Sequence, residues 1–127
     1  MRKIVSTDKA PGQLGPYSQG IIAQGSFVFT AGQIPMDPQT SEIVGSNITE
    51  QTREALKNLT AVLEEAGSEL KNAIKTTVFL KDMNDFAAMN EEYIKFFPEA
   101  PPARSAVEVS RLPKDVLVEI ECVALVK

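Results

Sequence analysis

The stretch Val116-Leu117-Val118-Glu119-Ile120-Glu121-Cys122-Val123-Ala124-Leu125-Val126 decides the fold. Its even positions, Val116, Val118, Ile120, Cys122, Ala124 and Val126, are all apolar. Side chains alternate between the two faces of a strand, so these six form one apolar sheet face that helices must cover. The odd positions, Leu117, Glu119, Glu121, Val123 and Leu125, are mixed. A solvated sheet face would alternate cleanly to polar. A half-apolar one belongs in an interface. Together with the two helices read from the rest of the chain, this strand predicts an α+β domain, a sheet packed on helices on one side and assembling with copies of itself through the other.

Working back along the chain supplies the helices. Ile48, Thr52, Ala55, Leu56, Leu59, Val62, Leu63 and Ala66 recur at spacings of three and four, one buried helical face. Asn47 followed by Glu50 reads as a capping box at its start, and Gly67 as its C-terminal cap. Ala73 to Lys81 alternates and is rich in Thr, Val and Phe, which predicts a strand. Asp82 or Asn84 then caps a second helix with Phe86, Met89, Tyr93, Ile94 and Phe97 on one side, ended by Pro98. Residues 1–20 read as turns, punctuated by Pro11-Gly12 and Gly15-Pro16. Ile21 to Ala23 and Phe27 to Ala31 read as a hairpin around Gln24-Gly25-Ser26. Arg104 to Ser110 is a further strand, joined to the last by the turn-like Arg111-Leu112-Pro113-Lys114-Asp115.

Composition narrows the chemistry. The 127 residues fit one domain, 1–127, large enough for a core without disulfides. A hydrophobic share of 43% and a charged share of 24% are those of a globular protein. The net charge of -4 and the absence of a basic stripe argue against nucleic acid. There is no histidine, and Cys122 stands alone, so a zinc site would have a poor ligand set and no internal disulfide exists. Cys122 falls on the apolar face and reads as a buried, inert thiol. The apolar stretch after Met1-Arg2-Lys3 is too short for a signal peptide and no window approaches a membrane span, so the expected location is the cytoplasm. Without a secretory signal, the glycosylation patterns at Asn47 and Asn58 are read as chance.

What remains for chemistry is an arginine. Pro102-Ala103-Arg104-Ser105 fixes Arg104 where a proline-stiffened loop enters a strand. A guanidinium there is a natural grip for a carboxylate, because its planar fork donates two parallel hydrogen bonds and stays charged.

Four segments carry a family likeness: Gly15-Pro16-Tyr17-Ser18-Gln19; Ala31-Gly32-Gln33-Ile34-Pro35; Asn84-Asp85-Phe86 with Asn90; and Pro102-Ala103-Arg104-Ser105 continuing through Arg111-Leu112-Pro113-Lys114-Asp115 to Glu119-Ile120-Glu121. With these in register over its whole length, the chain resembles the RidA family, also called YjgF, of imine and enamine deaminases. The resemblance implies a chorismate-mutase-like mixed sheet packed on two α-helices. It implies a homotrimer formed through the open sheet face, with three sites between subunits. The implied reaction is hydrolysis of 2-imino acids, the tautomers of 2-aminoacrylate and 2-aminocrotonate, to 2-keto acids and ammonia. It calls on neither a metal nor a cofactor, only on positioning and electrostatics.

The resemblance also distributes roles. Arg104 binds the substrate carboxylate; a surface or inter-subunit salt bridge is the commoner fate of an arginine. Glu119 orients or activates the attacking water, against the alternative of a solvated carboxylate. Tyr17 reaches a site, that of a neighbouring subunit, or packs its turn onto the core. Gly32 lets backbone approach the ligand, or simply ends a strand. Asn90 makes a polar contact at the site edge, or faces solvent. Glu121 reads as structural, paired with a lysine or arginine, and Glu108 lies roughly opposite Glu119 if Arg111 to Val116 closes a hairpin. Two positions depart from the family: Ala106 where many members carry cysteine, and Ala31 where some carry serine. Two other functions compete: a non-catalytic binder of small carboxylates such as 2-keto acids, and a ribonuclease or translation inhibitor, which the charge and the lack of histidine oppose.

Overall fold

The computed structural model describes residues 1–127. In chain order it contains β1 (Arg2–Val5), β2 (Gly20–Ala23), β3 (Phe27–Phe29), α1 (Ile48–Glu65), β4 (Ala73–Leu80), α2 (Phe86–Tyr93), β5 (Ala103–Glu108) and β6 (Val118–Leu125). The main sheet runs β3-β6-β4-β5; β6 is antiparallel to both neighbours, and β4 and β5 are parallel. This is an α+β fold with a mixed sheet and two helices. No helix is long and apolar enough to cross a membrane.

Alternation in β6 behaves as its sequence predicts. Val116, Val118, Ile120, Cys122 and Ala124 are at most 2% exposed and join Leu56, Leu59, Leu63, Met89 and Tyr93 in the core beneath the helices. The opposite face carries Phe27, Phe29, Phe79, Val123 and Leu125, with Phe29 73% exposed. Ile21, Ala23, Phe27, Phe29, Ile74 and Val123 line an open apolar depression of about 290 Å³ there.

The caps of α1 account for its bounds. Asn47 Oδ1 accepts from the Glu50 backbone N–H at 2.9 Å. The Glu50 carboxylate returns to the Ser46 N–H, one residue earlier than a capping box requires. At the other end Gly67 takes φ +81°, and the Ser68 and Gly67 N–H groups reach back to the Leu63 and Glu64 carbonyls, a Schellman closure. Both asparagines of the glycosylation patterns are occupied: Asn47 as cap, and Asn58 donating to the Ile34 and Met36 carbonyls.

Three sequence expectations fail. Arg2–Val5, read as turn, is a strand, and it rather than β3 is the partner of β2. No hairpin therefore forms around Gln24-Gly25-Ser26; Gly25, at φ +141°, carries the chain to the sheet edge where β3 pairs with β6. Four residues of β1 are too few for periodicity to register. Next, α2 stops at Tyr93 and the chain tightens, Phe96 and Phe97 bonding three residues back. That change of pitch leaves Ile94 49% exposed while Phe97 returns to the core. Finally, Arg111 to Val116 is not a hairpin. It crosses β4, so Glu108 lies opposite Leu80 rather than Glu119, and its carboxylate accepts from the Met83 N–H.

Candidate functional site

Arg104 sits on the edge strand β5, in register with Thr76 of β4. Thr76 points to the helices, where its hydroxyl meets that of Tyr93 at 2.7 Å, so Arg104 shares that side. Only 8% of it is exposed. Phe86, Asn90 and Tyr93, four and three residues apart along α2, turn one face towards it. The guanidinium carbon lies 4.9 Å from the Tyr93 ring centroid, 5.5 Å from that of Phe86 and 5.1 Å from that of Tyr17. Its Nη1 donates to Asn90 Oδ1 at 2.7 Å.

No carboxylate neutralises this charge. Arg104 forms no ion pair, and its Nε and Nη2 are buried with no acceptor. The ordinary fate of an arginine, a surface salt bridge, is thereby ruled out within the chain. Burial pulls its pKa below the usual arginine value, offset in part by Tyr93 and Tyr17. Burial likewise holds the Tyr93 hydroxyl well above the usual tyrosine range. Leaving a buried cation with two idle donors is costly. Two free donors on a buried guanidinium can take up an anion.

The loop carrying Tyr17 is pinned in place. Tyr17 N–H bonds the Gly15 carbonyl, Tyr17 Oη accepts from the Leu14 N–H, and Ser18 bonds the Pro101 and Pro102 carbonyls. Tyr17 therefore lies over the Arg104 of its own chain.

Glu119 belongs to the other side. On β6 it pairs with Phe79, one of the odd residues of the open face. It is half-buried beside Gly32, held by the Gln33–Ile120 bridge and by Asn58 gripping the Ile34–Met36 loop. A β-carbon on Gly32 would fall 1.9 Å from Glu119 Oε2, so only glycine leaves room for this carboxylate. Burial raises the Glu119 pKa above the usual carboxylate value, and the charge of Glu121 raises it further. Glu121 is exposed and forms no ion pair within the chain. Cys122 is buried on the helix side, its thiol pushed up to about 12 by burial.

Of the sequence-predicted residues, the structure gathers Arg104, Tyr17 and Asn90 into one cluster, and Gly32 and Glu119 into another. The two lie on opposite faces of one sheet. Sequence reasoning missed Phe86 and Tyr93 as walls around the arginine, although their spacing with Asn90 on α2 was the available signal. It also read Gly15 only as a turn residue.

A family model described as Endoribonuclease L-PSP matches residues 7–126. A RutC family protein of Pyrococcus horikoshii is 60% identical over 124 residues, 98% of each chain. A 2-iminobutanoate/2-iminopropanoate deaminase of Salmonella typhimurium is 49% identical over 128 residues, again 98% of each. Among solved structures, that of E. coli TdcF with bound serine aligns at TM-score 0.76 and 50% identity, covering 98% of this chain and 99% of the other.

Proposed function

From the premise that this chain belongs to the RidA/YjgF family, we propose that it hydrolyses 2-imino acids to 2-keto acids and ammonia. The observation that carries this reading is Arg104, a guanidinium 8% exposed with two donors and no acceptor. A carboxylate supplies the two oxygens such a fork lacks. A substrate iminium one carbon away then has its position fixed. The relative named as an imine deaminase, and the one holding serine, a small carboxylate, agree with that ligand class.

The remaining chemistry is modest. Water adds to C2 of the iminium while Glu119 takes its proton, giving a neutral carbinolamine. Glu119 returns that proton to the nitrogen, the C–N bond breaks as ammonia leaves, and Glu119 takes the hydroxyl proton as the keto C=O forms. A glutamate with a raised pKa suits these transfers. Arg104 and Glu119 of one chain face opposite sides of the sheet, which supports a site shared between copies. We take the assembly to be the homotrimer the family implies, formed through the open face of Phe27, Phe29 and Val123.

A coupled assay tests the reading. A threonine dehydratase generates the imine, semicarbazide traps it, and keto-acid release is followed. Wild type should speed release over the spontaneous background, and Arg104→Ala should abolish the gain. No acceleration with either iminobutanoate or iminopropanoate sinks the proposal. The bound serine of the solved relative also favours a second reading, carboxylate binding without catalysis. Glu119→Gln separates the two, since a mere binder does not use that residue.

A further inference from the structure

We infer that Gly15 and Asn90 are positioning residues that choose which edge of Arg104 meets its ligand. A guanidinium can take a carboxylate end-on through Nη1 and Nη2 or side-on through Nε and Nη2. Asn90 Oδ1 accepts from Nη1 at 2.7 Å, which takes one of its two N–H groups and makes the end-on edge the poorer one. The two donors left without acceptors, Nε and Nη2, make up the side-on edge.

Gly15 stands at the free edge. A β-carbon there would lie 3.0 Å from Arg104 Nη2, 3.0 Å from Asn90 Nδ2 and 3.3 Å from Asn90 Cγ. The backbone does not require glycine at this position: Gly25, Gly45 and Gly67 have positive φ, and Gly15 does not. Close approach is the remaining explanation. The loop cannot retreat, because Ser18 ties it to the Pro101 and Pro102 carbonyls. An alanine would therefore force Nη2 and the Asn90 amide to give by a few tenths of an ångström. Glycine leaves Nε and Nη2 in place and unpaired for an anion with two oxygens in the guanidinium plane.

The inference rests on Arg104 being the carboxylate grip, and the test separates the two. Binding of 2-oxobutanoate, a stable 2-keto acid, is measured by calorimetry, and imine hydrolysis by the coupled assay. Gly15→Ala should weaken binding about tenfold or more, and Asn90→Ala about fivefold. Both should raise KM while kcat stays within about threefold, since carboxylate binding serves ground and transition states alike. In an Arg104→Lys background no Nη2 remains, so Gly15→Ala should add less than about twofold. Equal penalties in the two backgrounds would overturn the inference. So would wild-type affinity in both Gly15→Ala and Asn90→Ala. Unchanged binding in Arg104→Ala would instead overturn the grip itself. Unfolding midpoints check that each variant is folded; Asn90→Ala, on a half-buried helical position, keeps the test usable if Gly15→Ala unfolds.

Discussion

Single residues divide the candidate site into a cation without a partner and a carboxylate reluctant to ionise. The raised pKa of Glu119 has a sign that can be checked. If the ionised form must accept a proton from water, activity falls as pH drops through that pKa, and the acid limb sits above the ordinary glutamate value. The second cause of the rise is the charge of Glu121. Glu121→Gln should therefore move the acid limb of kcat to lower pH with the plateau intact, and an unmoved limb would mean that Glu119 does not set it. Folding responds in the opposite sense: the raised pKa means that the folded state disfavours ionised Glu119, so its strain is relieved on acidification. Gly32→Ala should lower activity by displacing the Glu119 carboxylate, measured as a loss of keto-acid release from a protein with a native melting profile.

Elements were legible where their pattern ran long enough. The eighteen residues of α1 display their period, exposed Val62 excepted, and both caps, and the eight residues of β6 their alternation. Asn47→Ala should cost about 1 kcal/mol, seen as a lower urea midpoint at constant slope. Leu59→Ala, fully buried under the sheet, should cost about 2–5 kcal/mol. Short elements were legible only in part: β2 and β3 were named as strands, but four-residue β1 was not, and the partners of β2 and β3 were wrong. Local pattern names a strand but not its neighbour. The same limit misplaced Glu108, because the parallel pairing of β5 with β4 spans the whole of α2. Arg104 was evident from its motif, whereas the aromatic walls around it depend on how α2 lies against β5, which only the folded chain reveals.

At the scale of the molecule, the unpaired sheet face was foreseeable from the mixed odd positions of β6, and the structure adds Phe27 and Phe29 to it. Phe29→Glu should release monomers, read by sedimentation, and should cost activity in proportion; a monomeric mutant with full activity would detach the site from assembly. The placement of Arg104 and Glu119 on opposite faces has a further consequence. Two defective proteins should repair one another. Arg104→Ala and Glu119→Gln chains, each silent alone, regain working junctions when unfolded together and reassembled, wherever an intact arginine from one meets an intact glutamate from the other. Random mixing in equal amounts makes about a quarter of the junctions whole. Such rescue is closed to any enzyme that keeps its whole machinery on one chain, and its absence here would return both residues to a single subunit.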